Sequence, residues 1–506
     1  QAQRLGSSIR GQAGSMRSSA DLFGQLPEPV LSRLFSCMLQ RDAILLVRLA
    51  RDWSEAVAAN LRRLFITPTM PLAAAAFAAD SLGRLREVAV DGNGDAGAES
   101  FVNAAASLLE RLAGLPLEKL ALRRLPLDHE AASQRLLDAA LHDLASRPAL
   151  RSLQLDLMAL GEGPRPRLHA SLLAALRNPG PGITMLTLSG CDLRVKGVRA
   201  VCKAITEGPL AAKLESLDLS VNTLGQQGAV QVASALSHLP ALRSLHLAGN
   251  ALGLAGARAL VPGLAAVADR LEELNVAENG LCAAGVEALG EAGLQLQSLC
   301  LRRSWIGSDS AHVLPRFLRP MGATLVKLDL AENKIGAEGM WTVFEELPPL
   351  PQLRALDFSL NPFATAAFAG APFRRLAESA PALEELNLFG CCVGADEAAA
   401  QAVGDGLPAA LRYLYLGAVD LRSPRLAQLL RALPSLPSLE CLGLVQSRID
   451  GEAAAVLATE APLGKLPRLR VLDITGNLVG REAALSLRAS LQRSPAFKQL
   501  RGVRRR

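Results

Sequence analysis

The chain has 506 residues, 50% hydrophobic but only 4% aromatic, with a formal net charge of +6. That apolar content excludes wholesale disorder, and with no run approaching about 18 consecutive apolar residues a membrane-spanning helix is excluded as well. The basic excess lies at the two ends, so the middle is near neutral and nucleic acid is disfavoured as a partner, while eight Cys without a Cys-x-x-Cys pair read as small buried hydrophobes of a reducing compartment.

In chain order, residues 1–21 are expected to be a disordered basic leader, with Arg4, Arg10 and Arg17 and no acid before Asp21. An Arg- and Ser-rich start also resembles the remnant of an organelle transit peptide. The expected compartment is therefore cytoplasm or nucleus, with an organelle as the alternative. Residues 22–65 show helical spacing. Val30, Leu31, Leu34 and Phe35 share one face, a second helix is expected near Ala43–Ala50, and a third follows Asp52. Leu26 and Pro27 open the first helix. The order Leu26, Pro27, Val30, Leu31, Leu34, Phe35, Leu39, Asp42, Leu45, Arg48, Leu49, Arg51, Trp53 resembles an F-box. That resemblance implies a three-helix module docking onto a Skp-type adaptor of a cullin-based ubiquitin ligase. Leu26, Pro27, Leu31, Leu34, Phe35 and Trp53 would make the contact. From the residues alone the alternative is a helical cap that seals the first repeat, as solenoids require. Residues 66–84 are expected to be a linker.

From Leu85 onward the pattern L-x-x-L-x-L-x-x-N-x-L recurs. Clear copies are LESLDLSVNTL from Leu214, LRSLHLAGNAL from Leu242, LEELNVAENGL from Leu271, LVKLDLAENKI from Leu325, LRALDFSLNPF from Leu353 and LRVLDITGNLV from Leu469. Weaker copies start at Leu85, Leu117, Leu150, Ile183, Leu296, Leu383, Leu411 and Leu439. Apolar residues two apart point to one side of a short strand, and the ninth-position Asn turns the chain out of it. Asn93, Asn222, Asn250, Asn279, Asn333, Asn361 and Asn477 hold that position. Cys191 and Cys391 replace it in two copies, and Leu125, Met158, Ser304, Val419 and Ser447 depart from the rule, so looser turns are expected there. Each strand is followed by a helical pattern, as in GQQGAVQVASALSHL with Ala229, Val230, Val232, Ala235 and Leu236 near helical spacing. Period and helix resemble the ribonuclease-inhibitor class of leucine-rich repeats. The resemblance implies an α/β horseshoe solenoid over residues 85–495, of about 14 repeats, with parallel strands on the concave face and helices on the convex one. Fourteen strands about 4.8 Å apart would make an inner arc of about 65 Å, a large surface for a macromolecular partner.

The third, fifth and seventh residues of each copy are expected on that concave face. They include Asp218, Glu273, Asp329, Asp357, Glu385 and Asp473, opposed only by Lys327, Arg302 and, when protonated, His246. Such a face suits a ligand with a basic patch, although Asp is also common at the central position for structural reasons. The chain's two Tyr, Tyr413 and Tyr415, fall on the same face, with Phe389 one copy earlier. Aromatic residues anchor interfaces, so the expected binding residues are Asp218, Glu273, Asp329, Asp357, Glu385, Phe389, Tyr413 and Tyr415.

The tail over 496–506 is basic and ends RGVRRR. It could serve as a nuclear signal or anion-binding arm, or simply be a solvated terminus. No HExxH, Cys/His metal spacing, Walker-type loop or G-x-S-x-G elbow is present. The run from Asp91 fails as a calcium loop, since Ala96 stands where Gly is needed and Val102 where Glu is needed. No cofactor, metal or catalytic group is expected. The expected function is a non-catalytic protein-interaction adaptor, a substrate receptor of a cullin-type ubiquitin ligase. The alternatives are a scaffold or structural subunit, and a regulator similar to Ran-type GTPase-activating proteins of this repeat class. Those proteins usually end in an acidic tail, unlike this chain.

Overall fold

The computed structural model describes residues 63–66, 85–92, 98–112, 115–124, 130–141, 149–156, 166–177, 182–361, 372–392, 403, 406–423, 425–432, 436–459, 466–492 and 496–502. The F-box-like positions from Leu26 to Trp53, the turn residues Asn93, Leu125 and Met158, and the last residues of the basic tail lie outside them. Two compact units divide the chain, residues 1–192 with 207–210, and residues 193–206 with 211–506.

In the first unit, β1 (Arg63–Ile66), β2 (Glu87–Asp91), β3 (Lys119–Arg123), β4 (Ser152–Asp156) and β5 (Met185–Thr187) pair in chain order, all parallel. Parallel neighbours need a crossover, and α1 (Ala98–Arg111), α2 (Glu130–Leu141) and α3 (Pro166–Arg177) lie between successive strands from β2 onward. Among the described residues the sheet thus begins at Arg63, inside the segment expected to be a helical module. Leu64 is buried and in register with Val88, so Arg63–Ile66 acts as a truncated copy that adds a strand ahead of β2.

The second unit repeats one design. Strands β6 (Ser216–Asp218), β7 (Ser244–His246), β8 (Glu273–Asn275), β9 (Ser298–Cys300), β10 (Lys327–Asp329) and β11 (Ala355–Asp357) pair in parallel and in chain order. They continue through β12 (Glu385–Asn387), β13 (Tyr413–Tyr415), β14 (Cys441–Gly443), β15 (Val471–Asp473) and β16 (Gln499–Arg501). The helices are α4 (Arg194–Thr206), α5 (Gly225–Leu236), α6 (Gly253–Ala265), α7 (Cys282–Gly290), α8 (Val313–Leu318), α9 (Ala337–Glu345), α10 (Pro372–Ser379), α11 (Arg425–Ala432), α12 (Gly451–Thr459) and α13 (Arg481–Leu491). β16 lies beyond the expected end of the repeats at 495, so the described residues hold 16 strands, two more than the motif copies.

Burial follows the motif. In the copy from Leu214, Leu214, Leu217 and Leu219 are buried, while Ser216 and Asp218 on the alternate side are half-exposed. On α5 the buried face is Ala229, Val232, Ala233 and Leu236, at spacings of three and four. Val230, expected with them, is instead 47% exposed, because a step of one residue turns about 100° round the helix. Helices pack closely on each other and on the leucine side of the sheet. A Cβ at Gly263 of α6 would lie 2.5 Å from the Ala233 backbone of α5. Phe344 of α9 meets Phe358, just after β11, with ring centroids 5.4 Å apart, and Phe373 of α10 at 5.7 Å. Truncating such a buried side chain costs about 3–5 kcal/mol.

The ninth-position Asn does more than turn its own copy. Asn222 donates from Nδ2 to the carbonyls of Leu219 and Ser220, and its Oδ1 accepts the Leu193 N–H of the copy before. Asn250 Oδ1 accepts the Asn222 N–H at 2.8 Å, and Asn279 Oδ1 accepts the Asn250 N–H at 2.8 Å. These Asn are buried, and each links two copies. The neighbouring residues take left-handed backbone angles, as at Val221 (φ +58°) and Thr223 (φ +54°).

Two of the expected loose turns keep this path. Arg303 and Trp305 flank Ser304 at φ +51° and +60°, and Gln446 and Arg448 flank Ser447 at φ +54° and +53°. The reason is that the next copy still supplies its Asn, since Asn333 Oδ1 accepts the Ser304 N–H and Asn477 Oδ1 accepts the Ser447 N–H. What Ser304 lacks is the side chain's own bond, because its buried hydroxyl has no partner. Cys191 and Cys391 recover part of the pattern by donating Sγ–H to the Leu155 and Phe358 carbonyls of the preceding copies at 3.0 and 3.1 Å.

Candidate functional site

With the leucines turned inward, the third and fifth residues of each copy, on the strand, and the seventh just beyond it form the helix-free face of the sheet. Parallel register sets them in rows. The fifth-position row of the second unit reads Asp218, His246, Asn275, Cys300, Asp329, Asp357, Asn387, Tyr415, Gly443, Asp473, Arg501.

Over β6–β8 the expected binding residues Asp218 and Glu273 are drawn together by His246. Its Nε2 lies 3.4 Å from Glu273 Oε2 and its Nδ1 lies 4.0 Å from Asp218 Oδ2. Ser244 Oγ donates to Glu273 Oε2 at 3.0 Å and lies 3.2 Å from His246 Nε2. The Glu273 hydrogen bond raises the His246 pKa against the opposing effect of burial, and the bond from His246 lowers that of Glu273. One imidazole is therefore shared between two carboxylates here.

Over β10–β13 the arrangement is different. Asp329 and Asp357 stand side by side, and their partners are neutral donors. Cys300 Sγ–H donates to Asp329 Oδ2 at 3.3 Å, and Asn387 Nδ2 donates to Asp357 Oδ2 at 2.9 Å. Burial pushes the Asp329 carboxyl above the usual carboxylate range, and Asp357 adds to the effect. A hollow of about 270 Å³ opens over these residues, lined among others by Ser298, Cys300, Lys327, Asp329, Asp357 and Glu385. Arg302, expected to oppose the carboxylates, pairs with Glu332 and also acts electrostatically on Asp329 and Asp357.

The aromatic residues adjoin this hollow. Glu385 is in register with Tyr413, and Asn387 with Tyr415. Two glycines let the rings lie down on the sheet. A Cβ at Gly443 would fall 2.6 Å from Tyr415 Cδ1, and one at Gly417 would fall 2.7 Å from Phe389 Cδ2. Burial pushes the Tyr415 hydroxyl up to about 12, so it stays a neutral donor. The Arg412 guanidinium sits 5.6 Å from the Tyr413 ring centroid. Arg412 also belongs to a ladder at the second position of successive copies. It pairs with Glu384 at 3.3 Å and with Glu440 at 2.7 Å, Glu384 pairs with Arg354, and Glu440 pairs with Arg470 at 2.8 Å. Each exposed pair is worth little alone, but the alternation holds the Tyr413 strand in line with its neighbours.

Of the expected face residues, the structure therefore gathers Asp329, Asp357, Glu385, Phe389, Tyr413 and Tyr415 and sets Asp218 and Glu273 apart. Gly417, Gly443, Asn387 and Cys300 were not foreseen. Their signal lay in reading one copy against the next, where glycine follows an aromatic residue at the same position. Trp305 was also missed. It is 61% exposed at the turn after β9, with Lys334 Nζ 5.4 Å from its ring centroid.

Chemistry of other kinds has little material. Burial pushes the thiols of Cys202, Cys300 and Cys391 up to about 12, which leaves them unreactive at neutral pH. Among the described residues no group of three or more His, Cys, Asp or Glu is placed to hold a metal ion. No described helix is long and apolar enough to cross a membrane.

Repeated strand, Asn turn and helix make this an α/β solenoid of leucine-rich repeats. A family model described as Leucine Rich repeat matches residues 238–261 and 323–340. Tonsoku-like proteins of Bos taurus and Mus musculus are 32% and 29% identical over 276 residues, which are 52% of this chain and 19% and 20% of theirs. The chain thus spans about a fifth of the length of those relatives. Ribonuclease inhibitor of Sus scrofa is 29% identical over 204 residues, 40% of this chain and 44% of that one. The crystal structure of the yeast Rad7 and Elc1 complex covers 97% of this chain and 99% of that chain, at 15% identity and a TM-score of 0.45. A likeness at that level carries no functional argument.

Proposed function

We propose that this chain is a non-catalytic adaptor that holds a protein on the helix-free face over β10–β13. One observation carries this reading: a carboxylate-lined hollow and three aromatic side chains adjoin on one face of a sheet whose β10 and β11 copies are stapled by buried Asn. Such a surface is preorganised, so little ordering cost opposes binding. Aromatic anchors carry much of an interface's affinity, and a charged rim of one sign selects a partner of the other. The ribonuclease inhibitor, a relative by sequence, is named for its action on another protein. The F-box-like order from Leu26 to Trp53 supports a second half of the proposal. Leu26, Pro27, Leu31, Leu34, Phe35 and Trp53 would dock a Skp-type adaptor, and the repeats would present the held protein to a cullin-type ubiquitin ligase.

A co-expression pull-down with a Skp-type adaptor tests that half, comparing wild type with a Leu34→Asp, Phe35→Ala double variant. Binding by wild type, lost in the variant while circular dichroism is unchanged, is the expected result. Absence of binding by wild type would leave a repeat scaffold and remove the ligase role.

A further inference from the structure

The row Cys300, Asp329, Asp357, Asn387, Tyr415, Gly443 changes character along its length. Its first half lines the hollow and is acidic, and its second half is an aromatic surface laid over glycine. Three carboxylates, Asp329, Asp357 and Glu385, share the hollow with one ammonium, Lys327. Asp329 and Asp357 already hold neutral hydrogen-bond donors, and Arg302, which acts on both from outside the hollow, is itself paired with Glu332, so the hollow has more room for positive charge than for further hydrogen bonds.

Resting on the protein-binding reading above, we propose that this row takes an extended peptide segment laid across the strands, with one arginine or lysine over Asp329 and Asp357 and an apolar side chain four residues away on Tyr415 and Phe389. The spacing follows from two lengths. Parallel strands lie about 4.8 Å apart, so the midpoint of β10 and β11 is about 12 Å from β13. An extended chain advances about 3.3 Å per residue and covers that distance in about four residues. Side chains four apart on an extended chain also point the same way, whereas a spacing of three or five turns one of them off the sheet. Both anchors can therefore be satisfied together at a spacing of four. The Asp329 carboxyl, raised by burial and by Asp357, gains from a cation at that point. Lys327 competes for the same charge, so it sets an upper limit on affinity.

Random peptides of about nine residues, displayed on phage and selected against the full chain, test this, with affinities of the winners read by fluorescence anisotropy. The expected winners carry Arg or Lys with an apolar residue four positions away. Their binding should fall roughly tenfold or more with Asp357→Asn, and as much with Tyr415→Ala. It should strengthen with Lys327→Ala, and it should be lost when the spacing is changed to three or five. Asp357→Asn preserves side-chain shape, and circular dichroism checks the fold of each variant. Selection of peptides without a basic residue, selection of none, or affinities indifferent to both Asp357→Asn and Lys327→Ala would overturn the inference. A photo-crosslinking amino acid at position 413 of the same chain separates the two failures. If it captures a protein while the peptides lack the basic–apolar spacing, the protein-binding reading stands and this inference falls. If it captures none, both fall.

Discussion

Two stretches of one sheet face carry acidic residues at the same repeat positions and use them in opposite ways. Over β6–β8 the fifth position runs from Asp218 to His246 and the third from Ser244 to Glu273, so both carboxylates reach the same His246 on an adjacent strand. Over β10–β13 Asp329 is followed by Asp357, then Asn387, then Tyr415, and the two carboxyl groups meet neutral donors beside an aromatic surface. A single copy of the motif does not separate the two. The identity of the next residue in register decides whether an Asp is spent on internal structure or left for a partner.

The largest expected effect concerns what the two stretches share. Asn250→Ala would leave the buried Asn222 N–H without an acceptor, while the Leu219 and Leu247 carbonyls keep Asn222 and Asn279 as donors. Asn361→Ala would do the same to the Asn333 and Ile335 N–H groups. At about 1–3 kcal/mol for each buried group left unpaired, either variant should lose on the order of 3 kcal/mol in urea unfolding. A much smaller loss in one of them would show that the ladder is not uniform. Next in size is the separation in function. Tyr415→Ala should weaken partner binding by about 2 kcal/mol, whereas His246→Ala should leave it unchanged. Equal effects by isothermal titration would erase the contrast between the stretches. Ser304→Asn, which gives the unpartnered turn its missing side-chain bonds, should raise unfolding stability by roughly 1 kcal/mol.

The smallest effect is protonic. His246 has its pKa raised in the fold, so its stabilising contribution is full below the ordinary histidine value of about 6.5 and is lost as pH rises through the folded pKa. Glu273 has its pKa lowered, so its contribution is present above the ordinary glutamate value of about 4.3 and fades only as pH falls through the folded pKa. The closed stretch should therefore be most stable in the interval between. Both groups are partly exposed, so the slope should be shallow. An NMR titration should place the His246 midpoint above the ordinary value, and Glu273→Gln should bring it down.

Much of this was readable from the residues. The Leu positions 214, 217 and 219 and their equivalents fixed strand, core face and order, because period two and period three-to-four are enforced by geometry. Tyr413, Tyr415 and Phe389 were placed on the exposed face by the same rule. What escaped depends on relations between copies. The truncated copies at Leu64 and Leu500 are too short to show the full motif. Val230 followed composition, while helical angle turned it outward. The coupling of His246 to Glu273, and the rest that Gly443 gives Tyr415, join residues some 28 positions apart whose meeting is set by register alone.

The central claim is that the open stretch, and not the closed one, is where a protein is held. A photo-crosslinking amino acid placed in turn at positions 413 and 246 of the full chain, expressed in its native cells, tests it directly. A discrete protein adduct from position 413 and none from 246 is the predicted result. Adducts from 246 alone, or equally from both, would contradict it.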